Sequence, residues 1–265
     1  MKVVILCGGK GTRLREETEY RPKPLVPIGN RPILWHIMRH YAAFGFTDFV
    51  LALGYKGEMI KDYFVNYDLL NNDFTLDMAT KAVTPLRRES DANWRITFVD
   101  TGPETMTGGR LKRLAPLLRG EERFLFTYGD GVTDLDIQAT VDFQQRSGCA
   151  AVVTGVRPLT RFGELGVSGD RVINFVEKPV SASSWINGGY FVMTPRVFDY
   201  IAGDSTALEA APMEQLTSDG QLAVYKHEGF WGCMDTPRDM QWLNEQWESG
   251  QAPWLAAPRD RRRAA

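Results

Sequence analysis

The chain has 265 residues, 43% hydrophobic and 24% charged, ordinary proportions for one large α/β domain with a substantial core. A formal charge of -2 leaves no global basic field for nucleic acid or anionic lipid, so phosphate binding must come from placed cations and backbone amides. No apolar run approaches the roughly 18 residues of a membrane-spanning helix, and Cys7, Cys149 and Cys233 are too scattered for a disulfide framework.

A protein of the reducing cytoplasm, with no nucleic-acid or membrane partner, is therefore expected. No secretory leader is expected either, because the first strand, Lys2 to Leu6, begins almost at once and runs into a glycine-rich turn. A helix should open at Pro32, with Ile33, Leu34, Ile37, Tyr41 and Phe44 on one face and Gly45 as its stop. Phe46 to Leu53 reads as a strand, Gly57 to Asn66 as a helix, and Ile96 to Asp100 as a strand followed by a helix from Thr107. Phe124 to Tyr128 is a buried strand ending in Gly129-Asp130-Gly131; Asp134 to Ser147 is helical and Ala150 to Val156 a strand.

This alternation predicts a Rossmann-like, three-layer α/β/α fold with a mostly parallel central sheet. The second half is more β-rich. Ser168-Gly169-Asp170 should turn a hairpin within Val167 to Glu177, Gly189 to Met193 is a strand, and Pro195 opens the next helix. We expect a single domain over 1–254, in two parts (about 1–148 and 149–254), and a flexible tail (255–265). Asn71 to Asn93 looks like a polar insertion without clear periodicity, and the chain from Ala252 onward reads as a solvated, frayed terminus.

Leu6-Cys7-Gly8-Gly9-Lys10-Gly11-Thr12-Arg13-Leu14 follows the first strand, where glycines let successive N–H groups approach a polyphosphate. Its spacing matches neither the Walker loop nor the dinucleotide fingerprint. Arg13 can clamp phosphate oxygens in bidentate fashion, although a tight turn with a surface arginine explains the same residues equally well. Arg21-Pro22-Lys23-Pro24-Leu25 is more telling. Each proline biases the residue before it toward extended geometry, which predicts Lys23 on a stiff extended segment beside the first strand's C-terminal end. A rigid cation there suits an α-phosphate on which charge builds during displacement.

With the glycine loop and the Pro22-Lys23-Pro24 triplet at this spacing, the chain resembles the nucleotide-sugar pyrophosphorylases. Gly54-Tyr55-Lys56-Gly57, Met106-Thr107-Gly108-Gly109-Arg110, Thr127-Tyr128-Gly129-Asp130-Gly131, Ile186-Asn187-Gly188-Gly189 and Met234-Asp235-Thr236 resemble its glucose-1-phosphate cytidylyltransferase branch. The resemblance covers roughly residues 1 to 254. It implies CTP, glucose 1-phosphate and pyrophosphate as partners, a homo-oligomer, and Mg2+ on Asp130 and Asp235, which the sequence alone does not bring together.

It also implies nucleotide contacts from Leu6, Gly8, Gly9, Gly11, Thr12, Arg13, Lys23, Gly129 and Asp130, with Arg13 and Lys23 catalytic. Thr105 and Arg110 fall in the stretch that branch uses around the base. Glu177, Lys178, Asn187 and Gly188 are expected on the sugar phosphate; Trp231 would wall the sugar, or else simply pack in the core. UTP, dTTP or a modified hexose 1-phosphate stays open. A non-catalytic regulatory subunit should have lost part of the charged set, which is intact here. Cys7 has no base partner and is not expected to act as a nucleophile, and His36 and His40, four apart on a helix, are expected to pack.

Overall fold

The computed structural model describes residues 1–86, 93–157, 164–168, 171–176 and 185–255. The strands that matter below are β1 (Lys2–Leu6), β2 (Asp48–Leu53), β3 (Arg95–Asp100), β4 (Phe124–Tyr128), β5 (Gly131–Thr133), β6 (Ala151–Val156), β7 (Ile186–Met193), β8 (Leu222–His227) and β9 (Trp231–Cys233). The helices that matter below are α1 (Ile33–Ala43), α2 (Gly57–Val65), α3 (Thr107–Arg113), α4 (Ile137–Ser147), α5 (Ala211–Ser218) and α6 (Pro237–Glu248). Seven strands form one sheet in the order β8-β6-β7-β4-β1-β2-β3, and only β7 runs antiparallel to its neighbours. The fold is thus the mixed, mostly parallel α/β/α sandwich expected.

Alternation of side chains along the central strands builds a core on each face. Val3, Ile5, Phe49 and Leu51 pack with Leu34, Ile37 and Tyr41 of α1 on one face. Val4, Val50, Phe126 and Phe191 pack with Leu111 of α3 and Leu216 of α5 on the other. Each such buried aliphatic contributes about 1.5–3 kcal/mol, so the four adjacent strands β4, β1, β2 and β3 are fixed in register. Because they are parallel, their C-terminal ends lie side by side. The antiparallel β7 brings its N-terminal end, Asn187 and Gly188, to the same edge. That edge is where open α/β sheets bind ligands.

Four local readings need correction. Pro32 is the residue before α1 rather than its first residue: its ψ of 148° is extended, and it pairs with Pro27 in a short ribbon. The helix read from Asp134 starts at Ile137, because the Asp136 side chain accepts from Ala139 N–H (2.9 Å) and caps it. Pro195 opens a 3-10 turn over Pro195–Tyr200 in place of an α-helix. The stretch from Ala252 is not frayed throughout: Trp254 is 1% exposed and its indole donates to His36 Nδ1 (3.2 Å).

The insertion has its own structure, an antiparallel hairpin of Phe74–Leu76 with Val83–Pro85. Residues 87–92 of it lie outside the described residues, as does the tail from 256. Glu164–Ser168 and Arg171–Val176 pair antiparallel as the hairpin reading requires, the first strand starting at Glu164 rather than Val167.

Candidate active site

The glycine loop leaves β1 between the ends of β4 and β2. Gly8 accepts from Tyr55 N–H (3.2 Å), which ties the loop to the turn after β2. A Cβ on Gly8 would lie 2.2 Å from Arg110 Nη1, so any larger residue there would have to push the guanidinium aside. Gly11 has φ +62°, the left-handed geometry that glycine adopts without strain, and it turns the chain into the tight turn Thr12–Leu14 that carries Arg13. Gly9 has open space around it, so its value is backbone access rather than packing.

Leu6, Gly8, Gly9, Gly11, Thr12, Arg13, Lys23, Thr105, Arg110, Gly129 and Asp130, all expected on the nucleotide, line one open cleft of about 520 Å³. Lys10 spans its mouth to Glu104 (2.8 Å), an exposed pair that the sequence did not single out.

Lys23 does not stand on an extended segment. Lys23–Leu25 is a tight 3-10 turn, closed by Leu25 N–H on the Pro22 carbonyl (2.8 Å) and Val26 N–H on that of Lys23 (3.0 Å). Pro24 sits inside the turn at a position that requires no N–H donor. The turn aims the ammonium between two carboxylates, Asp130 Oδ2 and Asp235 Oδ1, each at 2.6 Å. Arg13 Nη1 lies 2.8 Å from the other oxygen of Asp235. Lys23 is enclosed, with its side chain 11% exposed, whereas Arg13 is 72% exposed.

Burial presses the Lys23 pKa down, but Asp130 and Asp235 outweigh it and the net shift is upward. Burial likewise pushes Asp235 up, and Lys23 and Arg13 overcome it, leaving the carboxyl below its usual range.

Asp130 and Asp235 meet because of a small ladder that no local pattern announces. β5 pairs antiparallel with β9, Gly131 opposite Cys233, and Met234 N–H donates to the Asp130 carbonyl (2.8 Å). The two flanking turns therefore converge. Asp235 is further held from behind by the start of α6, where Thr236 and Asp239 form a capping box and Asp235 N–H reaches Asp239 (3.2 Å). The thiol of Cys233 completes a group of three possible ligand atoms within 4.8 Å of one another. Burial raises its pKa, as it does that of Cys7, which is 1% exposed.

Arg110 lines the cleft, but protein oxygens occupy its guanidinium. Nη1 donates to Leu53 O (3.1 Å), Thr101 Oγ1 (2.8 Å) and Gly102 O (2.7 Å), and Nη2 to Gly8 O (3.1 Å) and Pro103 O (3.2 Å). In this arrangement it binds the glycine loop to the loop after β3. Thr105 stands on that second loop, beside Gly102.

On the side of β7, Asn187 is exposed at the edge, its Oδ1 accepting from Gly189 N–H (2.8 Å). Trp231 is half-buried and donates from Nε1 to the Gly188 carbonyl (2.7 Å), which orients the ring beside the Asp130 turn. Glu177 and Lys178 lie outside the described residues. Glu209 was not legible from sequence: it accepts from Thr107 Oγ1 (2.6 Å) and from the Tyr128 hydroxyl, joining the two walls of the cleft. His36 and His40 are buried against the carbonyls of Ile28 (3.0 Å) and Leu135 (2.9 Å), as packing histidines.

Among the described residues no helix is long and apolar enough to cross a membrane. A family profile described as nucleotidyl transferase matches residues 2–243. The glucose-1-phosphate cytidylyltransferase of Salmonella typhi is 49% identical over 254 residues, covering 96% of this chain and 98% of its own. The mannose-1-phosphate guanyltransferase of Emericella nidulans is 33% identical, over 90% of this chain and 62% of its own. Among solved structures, HddC from Yersinia pseudotuberculosis, also determined complexed with GMP-PN, superposes with a TM-score of 0.69 at 22% identity. It covers 93% of this chain and 99% of its own, a likeness that carries the fold alone.

Proposed function

The chain belongs to the nucleotidyl transferase family, and we propose that it transfers the cytidylyl group of CTP to glucose 1-phosphate, forming CDP-glucose and releasing pyrophosphate. The observation that carries this reading is the convergence of Arg13, Lys23, Asp130 and Asp235 at one end of the glycine-loop cleft. Similarity over nearly the full length of the Salmonella typhi enzyme supports the choice of nucleotide and sugar.

The phosphate of glucose 1-phosphate is largely dianionic at neutral pH, so its oxygen can attack the α-phosphorus without a general base. What the protein must supply is alignment and charge neutralisation. The loop amides from Gly8 to Thr12 and the exposed Arg13 hold the β- and γ-phosphates, and Lys23 meets the α-phosphate. Thr105 and the backbone after β3 hold the base, with Arg110 keeping that wall in place. Lys178 anchors the sugar's phosphate and Glu177 its hydroxyls. Asn187, Gly188 and Trp231 close the sugar side.

Two carboxylates already converge on a single cation, the Lys23 ammonium, which is the donor set a hard ion such as Mg2+ takes from a protein. Asp130 and Asp235 would hold Mg2+, which bound there supplies positive charge to the phosphate oxygens.

The test is pyrophosphate release across four nucleoside triphosphates and several sugar 1-phosphates. CTP with glucose 1-phosphate should give the highest kcat/KM. A higher value with UTP or dTTP would move the assignment to that nucleotide, and no release with any pair would overturn it. The three thiols are free, which supports a reducing cytoplasmic setting. The chain works as a homo-oligomer, a reading supported by exposed Leu70, Leu76, Met78 and Leu86 around the hairpin and tested by sedimentation velocity.

A further inference from the structure

Lys23 has a second station. In the arrangement described, its ammonium occupies the point on which Asp130 and Asp235 converge, 2.6 Å from an oxygen of each. Arg13 covers the remaining oxygen of Asp235 at 2.8 Å. Two carboxylates face two cations, and the group is neutral in charge as it stands.

We infer that Lys23 acts as an internal counter-cation that keeps divalent metal off the carboxylate pair until a triphosphate arrives. This rests on the reading above, that the cleft takes a magnesium nucleotide.

A divalent ion entering alone would have to displace the ammonium from both carboxylates. It would leave a largely enclosed Lys23 without a counter-charge, and it would add net positive charge to a balanced group. A metal–triphosphate unit removes both obstacles. It is negative overall, and its phosphate oxygens give Lys23 and Arg13 new acceptors as the carboxylates turn to the metal.

The fixed and movable parts of the site suit this exchange. The main chain at Asp130 and Asp235 is pinned by the β5–β9 ladder, by Met234 N–H on the Asp130 carbonyl and by the capping box of α6. Lys23 and Arg13 are unbranched side chains that can move several ångströms by rotamer changes alone. The same lysine thus keeps two nearby carboxylates from repelling each other in the free protein and neutralises phosphate in the loaded one.

The probe is Mn2+ alone, titrated into the full-length protein without nucleotide and followed by the electron paramagnetic resonance of the free ion. Lys23→Met should bind Mn2+ at least about tenfold more tightly than the unaltered chain, the gain expected from removing one competing positive charge. Lys23→Arg, which keeps the charge, should stay as weak as the unaltered protein. Adding Asp235→Asn to Lys23→Met should abolish the gained site. Thermal melting checks that each variant is folded, and Lys23→Gln takes the place of Lys23→Met if the latter melts early.

Equal Mn2+ affinity in the unaltered protein and the neutral variant, whether both tight or both absent, overturns the inference. Pyrophosphate release by the unaltered chain is measured separately. A chain that turns over CTP but shows no gain of metal affinity therefore refutes only the counter-cation, and a chain with no turnover refutes the assigned reaction.

Discussion

At one end of the cleft, charged side chains from four separate turns pair with one another: Lys23 and Arg13 with Asp130 and Asp235. At the other end, the buried cation Arg110 is surrounded by carbonyls and a hydroxyl of the protein. The first arrangement can exchange partners when phosphate arrives. The second cannot do so without leaving backbone carbonyls unpaired. On the proposed reading, the difference separates groups that act on the reacting phosphorus from groups that only shape the space around it, and it makes predictions that differ at the two ends.

The largest effect is expected at Lys23. Lys23→Ala should lower kcat by about a hundredfold or more, the scale of losing one placed donor to a developing charge, while CTP affinity changes far less. Steady-state pyrophosphate release and direct CTP binding separate the two, and a near-parental kcat would break the comparison at its stronger end.

Acidification should instead weaken both ends together, through the core beneath them. His36 is buried and accepts from Trp254 at Nδ1, so its Nε2–H donates to Ile28; burial holds its pKa down to about 4. Because the folded pKa lies below the unfolded value, His36 contributes its full stabilisation above about pH 6.5 and loses it as pH falls toward about 4. The loss is on the order of 3 kcal/mol. Thermal melts across that range should show it, and His36→Gln should flatten that part of the curve. A variant with the parental pH profile would remove His36 as the cause.

Arg110→Ala should raise the KM for CTP by about tenfold or more while kcat falls less, because it frees loop carbonyls and leaves the phosphates alone. If kcat fell further than affinity, Arg110 would belong with Lys23. The smallest effect is expected from Lys10→Ala. Its partner Glu104 is 77% exposed, so the pair is worth under about 1 kcal/mol and CTP affinity should move less than about fivefold.

The alternation of apolar runs with glycine and proline stops was enough to read the sheet and most helices, since burial on both faces dictates that pattern. The glycine loop and Lys23 were readable for a similar reason: their chemistry sits in consecutive residues. Whatever depends on pairing across the chain was not. The β5–β9 ladder, Glu209 between Thr107 and Tyr128, and the carbonyl ring around Arg110 join residues far apart in sequence, each of a common type. Lys23 was misread locally, as an extended residue, because the bias that Pro24 imposes was overridden by the turn that seats it on the two aspartates.

The ladder between Gly131–Thr133 and Trp231–Cys233 also sets the order in which the proposed site can assemble during synthesis. A nascent polypeptide that has emerged only as far as β8 owns the glycine loop, Lys23 and Asp130, yet Asp235 is still inside the ribosome. On the proposed reading such a fragment can gather phosphate but lacks the second carboxylate with which to grip an ion, so competence waits until residues 231–235 have emerged and paired with β5.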